Sequence, residues 1–184
     1  MRFALIILTG GALALAACGT SADNNVAPKS QAARDAAGDN TIANGLGAEG
    51  SKFADATKAS GLDATLGGPG PYTVLVPSNA AFDKLPPGAL DSLMKAEARA
   101  KLTKLLVGHI LPGAILAADI AKAIDTGKGK ASLATFGGGI LTATRQGNHI
   151  VLTDSAGAKA AITTSDDKRS NGVVQHLDGV LTGG

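Results

Sequence analysis

The hydrophobic pattern changes character several times along the chain. Residues 3–17 are apolar apart from Thr9, Gly10 and Gly11, and residues 19–39 carry Ser, Asn, Asp, Ala, Gln and Lys with almost no large apolar side chain. From residue 42 apolar positions return at helical spacing. Leu46, Phe53, Ala56 and Ala59 or Ser60 lie near one face, which predicts helix over 42–66 with Gly61 as a terminator. Gly67-Gly-Pro-Gly-Pro71 is a turn. Thr73 to Val76 then form a β-rich apolar run that Pro77, which has no amide hydrogen, must stop. Ser78 is placed to cap a helix continued by Ala80, Ala81, Phe82 and Leu85, with Phe82 as a core anchor.

A second helical region is predicted over 90–111, between Pro86-Pro87-Gly88 and Pro112-Gly113. Leu102, Leu105, Leu106 and His109 share a face there, so His109 is expected to be half-buried. A Lys and Gly linker at 126–130 precedes short alternating strands at 140–145, 148–153 and 159–164. Gln146-Gly147 and 154–157 are plausible hairpin connections, so these strands read as an antiparallel meander. A polar loop at 166–170 leads to Asn171-Gly172 and a final strand. Helices first and strands later indicate the α+β class.

Composition bounds the organisation. The apolar run at 3–17 follows Arg2, is too short to span a bilayer as a mature helix, and reads as a secretory signal over 1–17. The adjoining segment, 18–40, cannot repay the entropy of ordering and reads as a tether. The remaining stretch, 41–184, is the length of one domain with one enclosed core. Removing 1–17 deletes one of 17 basic side chains against 15 acidic ones, leaving a balance of +1. With no basic stripe, no Trp and Tyr72 as the only Tyr, nucleic-acid binding has no footing. The single cysteine excludes an intramolecular disulfide.

Leu15-Ala-Ala-Cys18 closes the apolar run with small residues and resembles the lipobox of bacterial lipoproteins. That resemblance implies that Cys18 is the acylated first residue of the mature chain, attached to the membrane through its lipid. Gly19 stands where an Asp typically retains such proteins at the inner membrane, so the resemblance implies the outer membrane, facing periplasm or cell surface. The other readings are an ordinary cleaved signal with an incidental cysteine, or a buried thiol.

Two further stretches carry a more specific likeness. Tyr72-Thr-Val-Leu-Val-Pro-Ser-Asn-Ala-Ala-Phe-Asp-Lys-Leu85 and Asn171-Gly-Val-Val-Gln-His-Leu-Asp-Gly-Val-Leu181 resemble the first and second signature boxes of the fasciclin-like domain, in the right order and about one domain length apart. His109-Ile-Leu-Pro-Gly113 resembles the family's His-Val-Val-Pro-Gly element, with Gly108 where the family places Tyr. The resemblance covers about residues 41–181 and implies a β-wedge of two sheets with helices packed at its edge. It also implies a non-enzymatic adhesion or binding module that contacts envelope or extracellular proteins or glycans. Its contact or fold-supporting residues would be Pro77, Ser78, Asn79 and Phe82 in the first box and Asn171 to Leu181 in the second, which includes His176 and Asp178. Some fasciclin-like proteins carry carotenoids, so an apolar small-molecule carrier is the alternative.

Candidate chemistry is sparse. His176 and Asp178, two apart on a presumed strand, would share a face and can form a carboxylate–imidazole pair. The family usually has its His at the position of Gln175, and Asp178 has a competing role in accepting backbone amides beside Gly179. There is no G-x-S-x-G elbow and no free cysteine once Cys18 is lipidated, so no catalytic residue is assigned. His109, His149 and His176 form no close pair that would preset zinc, and Asp154, Asp166 and Asp167 lack calcium-loop spacing, so no metal or cofactor is assigned. The glycines at 67–70 and 137–139 lack the Walker and dinucleotide patterns and read as turns.

Overall fold

The computed structural model describes residues 40–182. Its centre is strand β1 (Tyr72–Pro77), five of whose six residues are buried. Thr, Val and Leu suit an extended conformation covered on both faces. β1 lies between β2 (Ile110–Pro112), antiparallel to it, and β7 (Gly172–Leu177), parallel to it in a register that runs from Tyr72↔Gly172 to Pro77↔Leu177. The two signature boxes are thus adjacent strands. Beyond β7 lie β6 (Lys159–Arg169), β5 (His149–Thr153), β4 (Ile140–Gln146) and β3 (Lys130–Ala134), giving the order β2-β1-β7-β6-β5-β4-β3.

β6 belongs to both halves of this sheet. Its first residues pair with β5 and its later ones with β7, and the register shifts between Ile162, Thr164 and Asp167. Asp166 sits in the left-handed region at φ 62, so the strand bends there and turns one half of the sheet against the other. The helices are α1 (Ser51–Ser60), α2 (Asp63–Gly67), α3 (Asn79–Asp83), α4 (Ala89–Met94), α5 (Arg99–Val107) and α6 (Ala117–Thr126).

Two apolar clusters hold the layers. In one, Val74, Val76 and Val174 meet Phe53 and Ala56 of α1, Phe82 of α3, and Leu102 and Leu106 of α5. In the other, Leu75, Leu111 and Leu177 meet Ile120 and Ile124 of α6 and Leu141 and Leu152 of the meander. Alternation along β1 distributes its side chains between them, Val74 and Val76 to the first and Leu75 to the second. Burying side chains of this size contributes about 1.5–3 kcal/mol each.

Several sequence expectations need correction. Residues 42–50 are turns rather than helix, and α1 begins at Ser51. Glycines at 45, 47 and 50 disfavour helix, and Gly47 takes φ 66. Gly61 ends α1 at φ 83, its N–H bonded to the Lys58 carbonyl. The helix expected over 90–111 is broken at Lys95 (ψ 148) and a short 3₁₀ turn at Ala96–Ala98. It ends at Val107, and Ile110–Pro112 becomes β2 because pairing with β1 outweighs local helical spacing. The stretch 166–170, read as a loop, lies in β6 as far as Arg169. Sequence reasoning missed α6 and β3 altogether.

Candidate binding surface

At the end of β1, Ser78 leaves the strand at φ −64, ψ 160, and its Oγ accepts the Ala81 N–H at 3.2 Å, capping α3. The Ser78 N–H donates to the Leu177 carbonyl at 2.9 Å, so the cap is tied to the second box. Asn79 joins α3 to the start of α1. Its Nδ2 donates to the Ala48 carbonyl (2.8 Å), its Oδ1 accepts the Lys52 N–H (3.1 Å), and its own N–H donates to the Glu49 carbonyl (2.8 Å). Pro77 is buried and Phe82 is 5% exposed. What the first box shows to solvent is Ala80, Asp83 and Lys84. Beside them, Lys52, Phe82, Asp83, Leu85, Pro86 and Pro87 line part of a shallow groove of about 350 Å³. Lys52 and Asp83 form an ion pair across it.

The second box is anchored at its start by Asn171. The Asn171 Oδ1 accepts the Ile42 N–H (2.9 Å), and Nδ2 donates to the carbonyls of Leu66 (2.7 Å) and Gly68 (2.8 Å). One buried amide therefore fastens the entry segment and the turn after α2 to β7. The close fit continues at Gly70 and Gly172, where an added Cβ would fall 1.9 Å from the Asn171 carbonyl oxygen and 2.0 Å from that of Tyr72.

His109 is fully buried, not half-buried, because it lies beyond the end of α5 and is covered by the C-terminal segment. Nδ1 is 2.9 Å from the Leu105 carbonyl and Nε2 is 3.2 Å from the Leu181 backbone nitrogen. An N–H can only donate and a carbonyl can only accept, so the ring is the neutral Nδ1–H tautomer with both nitrogens engaged. Burial lowers its pKa from 6.5 to about 4, outweighing the Leu105 carbonyl and the Asp154 charge, which raise it. Asp154 is itself buried, its two oxygens accepting the N–H groups of Ala158 (2.8 Å) and Thr182 (2.7 Å).

The expected His176–Asp178 pair does not form. β7 ends at Leu177, and Asp178 turns to β6, where its Oδ1 accepts the Ala161 N–H at 2.7 Å. Its carboxylate thus fixes a backbone bend, but through Ala161 rather than an amide beside Gly179. His176 instead sits beside Asp167, with Nε2 3.8 Å from Oδ2, and Asp167 is paired with Arg169. Gln175, at the position where the resembling family has its His, is fully buried and clasps Asp166. The Gln175 Nε2 donates to Asp166 Oδ1 (2.8 Å) and its Oε1 accepts the Asp166 N–H (3.1 Å). The same Asp166 oxygen accepts the Ala117 N–H at the start of α6 (2.8 Å). Sequence reading missed the roles of Gln175, Asp154 and Asp166, each of which has a partner distant in the chain or on another element. Among the described residues no cluster of three or more His, Cys, Asp or Glu is placed to hold a metal, and no helix is long and apolar enough to cross a membrane. Cys18 lies outside the described residues.

Residues 48–183 match the family described as "Fasciclin domain". The chain is 33% identical over 126 residues to Protein sll1483 of Synechocystis sp., a match covering 68% of this chain and 63% of that protein. It is 35% identical over 127 residues to the transforming growth factor-beta-induced protein ig-h3 of Sus scrofa, covering 68% of this chain and 16% of that one. The chain therefore matches less than two thirds of the length of either relative. A structure of a FAS1 domain pair from the insect cell adhesion molecule Fasciclin I aligns with a TM-score of 0.49 at 20% identity, over 72% of this chain and 40% of that one.

Proposed function

The chain belongs to the fasciclin domain family, and on that premise we propose that it is a non-enzymatic binding module, held at the bacterial outer membrane through lipid on Cys18, that contacts envelope or extracellular proteins or glycans. The observation that carries this reading is that His109 and three of the aspartates that could serve as acid or base are already committed to backbone groups. His109 has both nitrogens bound to backbone, and Asp154, Asp166 and Asp178 accept backbone amides. A base acts on a nucleophile or water within hydrogen-bond reach, and His109 faces only carbonyl and amide. The shared edge of the two boxes, with exposed Asp83, Lys84 and Asp178, is a polar surface on a rigid frame, suited to contact rather than turnover.

Photo-crosslinking of the full chain in its native envelope, with probes at positions 80 and 83, tests this. Crosslinks to defined envelope proteins or glycans support it. A visible chromophore retained through purification would instead favour the carotenoid carrier, and reproducible hydrolytic turnover an enzyme.

A further inference from the structure

The two outermost strands of the sheet are treated differently. On β2 the alternation set by the Leu75 N–H bond to the His109 carbonyl and the Gly113 N–H bond to the Pro71 carbonyl turns Ile110 and Pro112 outward. The Ile110 carbonyl accepts the Phe136 N–H at 2.8 Å, and Pro112 has no N–H to offer, so this three-residue edge keeps only the Ile110 N–H and the Pro112 carbonyl for another strand. On β3 the Thr135 N–H donates to the Gly139 carbonyl across the hairpin to β4. Alternation then directs Ala131 and Leu133 toward β4, and Lys130, Ser132 and Ala134 away from it. The Lys130 N–H is taken by the Gly127 carbonyl, whereas the outward N–H and C=O groups of Ser132 and Ala134 have no partner among the described residues.

The first part of this edge, Lys130 to Ser132, forms one wall of a groove of about 540 Å³. The other wall is α6, through Asp119, Lys122, Ala123 and Thr126. Spacings of three, four and seven put these on one helical face, distinct from the face that buries Ile120 and Ile124. An unpaired strand edge beside a helix is the geometry in which an extended segment is added as a further strand. The charges choose the occupant. Asp119 accepts the Leu116 N–H and Asp125 pairs with Arg145, whereas Lys122, Lys128 and Lys130 make no ion pair among the described residues. Unpaired lysines along an edge discourage pairing with a second copy and favour an acidic strand.

We propose that β3 receives an extended, Asp- or Glu-bearing peptide segment of a partner protein as an eighth strand, hydrogen-bonded to Ser132 in the groove beside α6 and to Ala134 just beyond it. This adds a second contact site, apart from the edge of the two boxes, with its partner chemistry, to the binding-module reading and rests on it.

The test is selection of a phage-displayed random peptide library on the purified full chain. Selected peptides should be enriched in Asp, Glu and β-branched residues, and their binding should slow amide exchange at Ser132 and Ala134. Ser132→Pro removes the outward N–H without breaking a ladder bond and should raise Kd about tenfold or more. The double change Lys122→Glu with Lys130→Glu, exposed and outside both cores, should do the same while leaving the circular dichroism spectrum intact. The proposal is overturned by a library that yields no binder, by peptides that protect other amides, or by wild-type affinity in the charge-reversed protein. Envelope crosslinks from a probe at position 126, on the wall of this groove, that survive both changes would keep the binding module and remove the β3 edge. Absence of crosslinks in the unaltered protein would remove the binding-module reading itself.

Discussion

The Nε2 atom of His109 accepts a hydrogen bond from the backbone N–H of Leu181, 3.2 Å away and 72 residues later in the chain. Thr182 is held in the same way by Asp154, through an N–H donated to Oδ2 at 2.7 Å. The C-terminal end of the described chain is therefore latched by two buried side chains, one of which accepts only while neutral. Protonating His109 turns its acceptor into a donor facing a donor.

That latch sets a pH dependence. The folded pKa of about 4 lies below the ordinary 6.5, so the unfolded chain binds the proton more tightly. The stability from neutral His109 is complete above about pH 6.5 and is lost progressively as pH falls through about 4, an effect of about 3 kcal/mol. Urea midpoints from pH 7.5 to 4 should fall in this window for the unaltered protein and fall less for His109→Gln. Parallel profiles for the two proteins would show that His109 is not the titrating group.

Asn171→Ala should be strongly destabilising. It strips the partners from the Ile42 N–H and the Gly68 carbonyl and one of two from the Leu66 carbonyl, which keeps the Ala43 N–H, at about 1–3 kcal/mol for each group left buried and unpaired. Asn79→Ala should cost less, because the Asn79 bonds lie nearer solvent where water can replace them. Equal losses in chemical denaturation would contradict this ranking.

Phe82→Ala should cost about 3–5 kcal/mol, since lost transfer energy and an unfilled cavity add. The ring is 5% exposed within the cluster that joins α1, α3 and α5 to β1. The thermal midpoint should drop by on the order of 10 °C. A drop of only a degree or two would mean that Phe82 does not anchor α3 in the core.

Local and distant partners left different traces in the sequence. The strand at 73–76, its stop at Pro77, the Ser78 cap and the Gly61 terminator depend on neighbours a few residues away, and the structure has them there. α6 presents only Ile120 and Ile124 as buried large side chains among alanines, too sparse a stripe to separate from a loop. β3 comes after a Lys and Gly turn and shows inward only Ala131 and Leu133. The burial of His109 depends on Leu181, and the roles of Gln175 and Asp166 depend on each other across β6 and β7. No local pattern encodes such partners. Spacing of two places residues on one face only while a strand continues, and β7 stops at Leu177 before Asp178.

Attachment to the membrane is expected to depend on Cys18. Two or more acyl chains anchor durably where one does not. Cys18→Ser should therefore release the protein into the soluble fraction or block its processing. Membrane fractionation and gel migration unchanged from the unaltered protein would defeat the lipoprotein reading.

Structure and chemistry can be separated at His176 and Asp178. Asp178 accepts the Ala161 N–H, and its own N–H donates to the Ala161 carbonyl at 3.1 Å, so the residue locks the end of β7 onto β6. Asp178→Ala should lower stability by about 1 kcal/mol, the worth of one hydrogen bond near the surface. His176 touches Asp167 at 3.8 Å and makes no contact with Asp178, so removing both should lower stability by the sum of the single effects. A catalytic pair would behave differently: its members act as a unit, and the loss of either would remove as much turnover as the loss of both. Double-mutant cycles in urea, run beside a broad esterase, glycosidase and peptidase screen, read both quantities. Additive stabilities with no turnover in any variant are expected. Turnover in the unaltered protein that vanishes in each single mutant, with circular dichroism unchanged, would mean that a nucleophile or water reaches His176 and that the domain does chemistry.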